Sequence, residues 1–264
     1  MDSIQLESVS KTFRHRPALS NWLGQEKRGE TRALDRISIH VPGGSVLALL
    51  GPNGSGKTTL LKLISTMLLP DAGRVMVGGE DTRTAGLAIR QRVGFAIAAE
   101  RSFFPRLSAR ENLDFFAALD NVPRRRRSGR IRTLLDETGL SQHADTLAMK
   151  FSSGMYQRLG VARALLKRPS VILLDEPTRS LDPASAEEFW KLVQGFRDRG
   201  ATILVATHNF EEAAALGDSI ALLQAGRLAD YRDLSWAGTR ELRSWYREAT
   251  GELDALPIAA GGWQ

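Results

Sequence analysis

The chain has 264 residues, a formal net charge of +6 and no cysteine. This length supports one domain with internal subdomains, and the absence of cysteine excludes disulfides and thiolate metal sites. No run of about eighteen apolar residues occurs and the first residues lead directly into a predicted strand, so we expect neither a membrane-spanning segment nor a secretory leader. The positive charge favours anionic partners such as nucleotides, nucleic acids or a membrane surface.

The N-terminal part is predicted to contain an antiparallel sheet. Residues 3–12 and 35–41 are its first strands, residues 74–77 return to strand, and Gly78-Gly79 forms a turn. Between the first two strands lies an insertion, residues 14–32. In it, five cations surround an apolar patch of Leu19, Trp22 and Leu23. This pattern favours contact with lipid headgroups, and an ordinary surface loop with a half-buried tryptophan is the alternative.

A glycine-rich turn connects a predicted buried strand, which begins at residue 46, to a predicted helix. The turn reads Gly51-Pro52-Asn53-Gly54-Ser55-Gly56-Lys57-Thr58-Thr59. Its glycines allow backbone N–H groups to converge on phosphate oxygens, and the helix that follows adds its positive end. We expect Lys57 to reach the outer phosphates and Thr58 to ligate a magnesium ion that bridges them. The turn therefore predicts binding of a nucleotide with Mg²⁺, and a simple connecting turn is the alternative.

A helical region is predicted from about residue 96 to residue 165. Within it, Ser108 and Glu111 have the spacing of a capping box, and the helix after them has one apolar face. Four consecutive arginines at residues 124–127 are predicted to form a solvated loop rather than a recognition site.

Two carboxylates end a short apolar run that is typical of a buried strand, residues 171–175. Asp175 closes the run and Glu176 follows it. Because buried acidic groups are costly unless something uses them, we expect Asp175 to hold the magnesium shell. Glu176 is expected to orient or deprotonate the attacking water. This pair predicts nucleotide hydrolysis, and a purely structural role is the alternative.

A third motif, residues 151–158, lies between the other two and reads Phe-Ser-Ser-Gly-Met-Tyr-Gln-Arg. With its neighbours it resembles the Leu-Ser-Gly-Gly-Gln-x-Gln-Arg signature of the ATP-binding subunits of ATP-binding cassette (ABC) transporters. The agreement is at Ser152, Gly154, Gln157 and Arg158. The differences are at Phe151, Ser153 and Met155.

The resemblance implies an α/β fold of the P-loop NTPase class, with a parallel core sheet, an antiparallel β subdomain and a helical subdomain at about residues 96–165. The cassette is expected to span residues 1–235. A short C-terminal tail, residues 236–264, is expected to follow it. The family binds ATP with Mg²⁺.

Further roles follow from the resemblance alone. In the family, the signature segment and a loop after the acidic pair reach the ATP of a second copy, which implies this role for Ser152, Ser153, Gly154, Met155 and Asp182. Asp182 also fits a helix N-cap before Pro183. His208 corresponds to the switch histidine that contacts the terminal phosphate, and Phe13 to the aromatic residue that stacks on adenine.

A glutamine that the family places after the strand before the helical region is missing. In the family it links the magnesium site to the membrane partner, but here the expected positions hold alanine. Glu100 is the nearest polar residue able to replace it as a metal or water ligand. A simple surface ion pair with Arg101 is the alternative.

The resemblance implies an ATPase that dimerises and powers export through a separate integral membrane permease. The subunit is then peripheral, on the cytoplasmic face of the inner membrane. The insertion at residues 14–32 resembles that of polysaccharide and lipid-linked glycan exporters; drugs, small molecules or lipids are alternative cargoes. A soluble ABC-type ATPase acting on ribosomes or DNA is the alternative of another class. Its usual second cassette or long coiled coil is not seen in the sequence, so no nucleic-acid partner is expected.

Overall fold

The computed structural model describes residues 1–14, 29–97, 103–234 and 238–250. The strands are β1 Ile4–Arg14, β2 Glu30–Val41, β3 Val46–Leu50, β4 Ala72–Val77, β5 Glu80–Asp81, β6 Val93–Ile97, β7 Val171–Asp175, β8 Thr202–Thr207, β9 Ser219–Gln224 and β10 Arg227–Asp233. The helices are α1 Lys57–Ile64, α2 Gly86–Arg92, α3 Ala109–Leu119, α4 Arg124–Glu137, α5 Ser153–Ala164, α6 Pro183–Asp198, α7 Phe210–Leu216 and α8 Thr239–Thr250. None of these helices is both long and apolar enough to cross a membrane.

The strands form two sheets. The first is antiparallel, in the order β2-β1-β4-β5, and the second is the core sheet, in the order β10-β9-β3-β8-β7-β6. Neighbouring core strands are parallel except at the edge, where β10 runs antiparallel to β9. The predicted fold class is therefore confirmed, with one antiparallel strand added to the core sheet. β9 and β10 form a hairpin, and β9 continues the core sheet by pairing with β3.

The core strands are buried along their whole length. Every residue of β3, β7 and β8 is buried, as expected for parallel strands covered on both faces. One apolar cluster lies between the antiparallel sheet, α1 and the core sheet, and a second lies under the helical region and α6. A third cluster is covered by α7 and α8, where Trp245 is buried and its indole donates to Asp230 at 2.8 Å.

The helical region begins with the predicted capping box, which is confirmed. The Ser108 hydroxyl accepts from the Glu111 backbone, and the Glu111 carboxylate accepts from the Ser108 backbone at 2.7 Å. Asn112, fully buried, donates to three carbonyl oxygens of the preceding loop and accepts from the Phe104 backbone at 2.8 Å. This loop presents Phe104 edge-to-face against Phe115, with ring centroids 4.7 Å apart.

Two predicted boundaries are wrong. β2 begins at Glu30 rather than at residue 35, because β1 is long enough to pair with it as far as Arg14. Residues 124–127 are not a loop but the first turn of α4, which is anchored further along by buried apolar residues such as Leu134. Most of the insertion, residues 15–28, lies outside the described residues.

Candidate functional site

The glycine-rich turn follows β3 and leads into α1, as predicted. A Cβ at Gly51 would lie 2.2 Å from the carbonyl oxygen of Leu223, and one at Gly56 would lie 2.6 Å from that of Ala33. Gly56 also has φ +107°, a conformation that side chains rarely adopt. Both positions therefore require glycine, and the turn is packed tightly between the core sheet and β2.

Lys57, the first residue of α1, folds back over the turn. Its ammonium group donates to the carbonyl oxygens of Gly51 at 2.7 Å and Pro52 at 3.1 Å, and lies 3.9 Å from the carboxylate of Glu176. Burial lowers the pKa of Lys57, while the carboxylates of Glu176 and Asp175 oppose this shift. The charged form is thus held by the acidic end of β7, next to where phosphates would lie.

Thr58 and Asp175 meet between α1 and the end of β7. The Thr58 hydroxyl donates to Asp175 Oδ2 at 2.7 Å, whereas Asp175 Oδ1 is buried and has no hydrogen-bond partner among the described residues. Burial raises the pKa of Asp175, opposed by Thr58 and by Lys57 and Lys62. A buried carboxylate oxygen without a partner, beside a hydroxyl, fits Mg²⁺, which takes few protein oxygens and completes its shell with phosphates and water. No cluster of three or more His, Cys, Asp or Glu side chains suited to a metal occurs in the described part of the chain.

Glu176 and His208 are in contact at the carboxyl ends of β7 and β8. His208 Nδ1 lies 2.5 Å from Glu176 Oε2, and the histidine side chain is more than half exposed. Glu176 has φ +52°, and its backbone N–H donates to the carbonyl of Ala206 at 2.8 Å. A left-handed conformation at a residue other than glycine is strained, and such strain is concentrated at functional sites. Here it turns the carboxylate towards Lys57 and His208.

The signature segment begins α5 and is exposed at Ser152 and Ser153. Ser152 is the N-cap, and its hydroxyl accepts from the backbone of Met155 at 3.2 Å. Ser153 donates to the carbonyl of Ser180 at 3.1 Å, which joins the segment to the loop before α6. Gly154 faces Leu181, because a Cβ there would lie 3.0 Å from that side chain.

Asp182 caps α6, as one of its two predicted roles requires. Its carboxylate accepts from the backbone N–H of Ser185 at 3.0 Å, and Pro183 is the first helical residue. The hydrogen bonds from the Ser185 hydroxyl and from the Ser185 backbone N–H lower the pKa of Asp182.

A cavity of about 400 Å³ joins the turn to the acidic end of β7, and His208, Asp182 and residues 152–155 are not among its lining residues. It is lined by residues 53–59 of the turn and by Asp175 and Glu176. Arg32, which the sequence assigns to the basic insertion, also lines it, as do Ile97 and Arg179, for which the sequence predicts no role. Arg32 is on β2, where a basic residue in an alternating strand is indistinguishable from a solvated one. Phe13 is partly buried and pairs with Thr31, which lines the cavity, although Phe13 does not. Glu100 lies outside the described residues.

One further acidic residue lies behind the site. Glu212, on α7, is fully buried and accepts from the indole of Trp190 at 3.3 Å. Burial raises the pKa of Glu212, and the nearby charge of Glu176 raises it further, while Thr207, Thr178 and Trp190 oppose the shift. Sequence reasoning missed this residue because Glu211 and Glu212 together are typical of an exposed first helical turn.

The chain is similar to known proteins. A family model described as ABC transporter matches residues 34–179. The daunorubicin resistance ATP-binding protein DrrA3 of Streptomyces coeruleorubidus is 39% identical over 206 residues, 78% of this chain and 65% of DrrA3. The ABC transporter ATP-binding protein NatA of Bacillus subtilis is 35% identical over 204 residues, 77% of this chain and 83% of NatA.

A solved structure shares the fold at 27% identity. It is the ATP-binding cassette MJ0796, a dimer in a post-hydrolysis state bound to ADP and Pi, and the alignment has a TM-score of 0.76. The alignment covers 89% of this chain and 100% of that chain.

Proposed function

Because the chain belongs to the ABC transporter family, we propose that it is the ATP-hydrolysing subunit of a transporter, working as a dimer on a membrane permease. The observation that carries the proposal is the contact between Glu176 and His208 beside the phosphate-binding turn. A general base and a residue that positions it, next to a phosphate site, are what hydrolysis of a terminal phosphate requires.

In the proposed reaction, water attacks the terminal phosphorus of ATP while Glu176 accepts a proton from that water. The bond to the oxygen of the ADP leaving group breaks, and phosphate and ADP are the products. His208 holds the carboxylate on one side, and Lys57 contributes positive charge near the outer phosphates. Mg²⁺, when bound, neutralises phosphate charge, and Thr58 and Asp175 are the residues that would hold it.

The proposed dimer is based on the signature residues, which lie outside the ATP cavity of their own chain. Ser152, Ser153, Gly154 and Met155 begin an exposed helix end, which suits a phosphate of a second copy. None of them lines the cavity that contains the turn. Asp182 is exposed and caps α6, and its proposed contribution to the ATP of the second copy is to hold the loop before α6 in place.

The proposed permease contact is the aromatic surface of the helical region. Phe104 and Phe115 are 44% and 40% exposed, although they pack against each other. An exposed aromatic pair, here formed by Phe115 on α3 and Phe104 on the loop before it, is suited to an apolar partner. The subunit would then be peripheral, on the cytoplasmic face of the inner membrane.

Export is the proposed direction, and a drug or other small molecule is the proposed cargo. DrrA3 is named for daunorubicin resistance, and this relative supports a drug-like cargo. A polysaccharide or lipid-linked glycan cargo stays a prediction, because it depends on the insertion at residues 14–32, most of which is not described. Copurification with a permease would support transport. Copurification with RNA, and no permease, would instead support the soluble ABC-type ATPase.

The chemistry is tested by Glu176→Gln, which keeps the size of the side chain but removes its ability to accept a proton. We expect ATP turnover to fall about a hundredfold or more while ATP binding persists. Lys57→Ala should instead weaken ATP binding itself. The measurements are the ATPase rate and the dissociation constant for ATP.

The matched control is Glu187→Gln, which makes the same change at an exposed glutamate on α6. Its ATPase rate should equal that of the unmodified protein. Near-normal turnover by the Glu176→Gln protein would overturn the assignment of the general base.

A further inference from the structure

A second cavity, of about 660 Å³, lies far from the ATP site. Its walls are the loop after α3, the first half of α4 and residues 166–168, which precede β7. Asp175 and Glu176 are at the opposite, carboxyl end of the same strand. The cavity is therefore separate from the site described above.

Five of the thirteen residues that line the cavity are cations. Arg125, Arg126, Arg130, Lys167 and Arg168 line it, and Asp120 is the single carboxylate among its described lining residues. Asp120 is already close to one cation, at 3.8 Å from the Lys167 ammonium. Within the described part of the chain, the side chains of Arg125, Arg126 and Arg168 make neither a hydrogen bond nor an ion pair. The cavity thus holds an excess of positive charge that the described residues do not compensate.

Arg130, in the wall of the cavity, has a buried N–H group without a hydrogen-bond partner among the described residues. One of its terminal nitrogens donates to the carbonyl of Leu165 at 2.5 Å, but its Nε is buried and has no partner among the described residues. Burial lowers the pKa of Arg130, and the charge of Arg168 lowers it further. A buried guanidinium N–H without an acceptor is costly, and an anionic oxygen would satisfy it.

Two features of the backbone make this concentration of positive charge energetically unfavourable. The arginines at residues 124–127 are in the first turn of α4, where the helix dipole disfavours cations, and that turn contains no acidic residue. Arg168 has φ +55°, a backbone conformation that favours glycine. Strain at a residue other than glycine supports a role for that side chain, which here faces the cavity.

We propose that this basic cavity, defined by Arg125, Arg126, Arg130, Lys167 and Arg168, binds a compact anion that carries two or more phosphate groups. Guanidinium groups match phosphate oxygens with paired hydrogen bonds, and several of them converge here in a concave site of small-molecule size. The phosphates belong either to a soluble metabolite or to a lipid headgroup, and the same residues bind both chemistries.

The test compares two double variants of the full chain, each losing two positive charges. The cavity pair is Arg126→Gln with Arg168→Gln, and the control pair is Arg124→Gln with Arg132→Gln, which lie on α4 outside the cavity lining. Both are made in a Lys57→Ala background, so that the probe is not bound by the phosphate turn. The probes are inorganic triphosphate, by calorimetry, and vesicles of equimolar phosphatidylcholine and cardiolipin, whose headgroup carries two phosphate groups, by cosedimentation.

We expect the cavity pair to lose at least about tenfold in affinity for one of the probes, and the control pair to change little. Loss for triphosphate identifies a soluble ligand, and loss for vesicles alone identifies a lipid headgroup. Equal affinities of the two pairs for both probes would overturn the proposal and return these arginines to a solvated surface. Melting temperatures of both pairs show whether the variants are folded. When the same pairs are made with Lys57 intact, their ATPase rates should equal that of the unmodified protein.

Discussion

Glu212 shows how a single side chain can link the hydrolytic residues to the stability of the whole fold. It is fully buried on α7 and accepts from Trp190, which is on α6. The charge of Glu176, at the end of β7, disfavours the ionisation of Glu212. The residue therefore contributes most favourably to folding when it is protonated.

The pH dependence of unfolding tests this role. The pKa of Glu212 is raised above its ordinary value of 4.5, so between these two pKa values the folded state binds more protons than the unfolded state. The free energy of unfolding should therefore fall as pH rises through this window, by up to about 1.4 kcal/mol per pH unit. Glu212→Gln, which keeps an acceptor for Trp190, should remove that slope.

Denaturant unfolding at a series of pH values provides the measurement. Glu211→Gln is the control, since Glu211 is exposed and lies 3.4 Å from Arg243, and it should leave the slope in place. Glu212→Ala should in addition cost about 1–3 kcal/mol at acidic pH, because the Trp190 indole loses its acceptor. An identical pH slope in the Gln variant and the unmodified protein would contradict the assignment.

At the scale of elements, the helical region depends on how α3 begins. The capping box at Ser108 and Glu111 satisfies two backbone donors that the helix itself leaves unpaired. The same turn lies next to Asn112, which holds the loop that carries Phe104. The start of α3 is thus coupled to the surface proposed for the permease.

Ser108→Ala should lower the free energy of unfolding by about 1 kcal/mol, since the hydroxyl acceptor of the cap is lost. The control is Ser128→Ala, at an exposed position inside α4, which should be neutral or slightly stabilising because alanine is the better helix former. Urea unfolding of both variants gives the comparison. A cost at residue 128 equal to that at residue 108 would indicate a general effect of removing serine rather than the loss of a cap.

The sequence predicted those elements whose pattern has one physical cause. Strands such as β3 and β7 are continuous apolar runs, because helices or the other sheet cover both faces. The start of β2 was missed because its first residues are polar and are stabilised only by pairing with β1. The first turn of α4 was missed because four arginines carry no apolar periodicity, and the helix is fixed by residues further along.

The candidate site also contains residues that the sequence predicts and residues that it does not. The turn, Asp175 and Glu176 were found because their spacing is imposed by phosphate and metal chemistry. Arg32 and Glu212 were not found, because their importance depends on which distant elements pack beside them. Periodicity gives the face of an element, but not its tertiary neighbours.

At the scale of the whole molecule, the proposed ATP site is shared between two copies. The turn and the acidic end of β7 are at one part of the surface, and the exposed signature segment starts at another. If each ATP is bound between the turn of one copy and the signature of the other, ATP favours a closed dimer and its hydrolysis releases it. The cycle then offers a change of shape to an attached permease.

Mixing two inactive variants tests this sharing directly. Lys57→Ala removes the phosphate contact of the turn, and Gly154→Asp places a negative charge at the signature. Each homodimer has two defective sites. A mixed dimer has one intact site, made from the turn of the Gly154→Asp copy and the signature of the Lys57→Ala copy. We therefore expect the mixture to hydrolyse ATP although neither variant does so alone.

The control mixture combines Lys57→Ala with the double variant that carries both changes, because no pairing of these two chains contains an intact site. ATPase rates are measured over a range of mixing ratios, and the activity should be greatest near equal amounts, where mixed dimers are most abundant. Melting temperatures must show that the Gly154→Asp chain folds, since Gly154 lies against Leu181. Folded variants that exchange subunits yet remain inactive at every ratio would contradict a site built from two copies, and they would place the signature segment in another role.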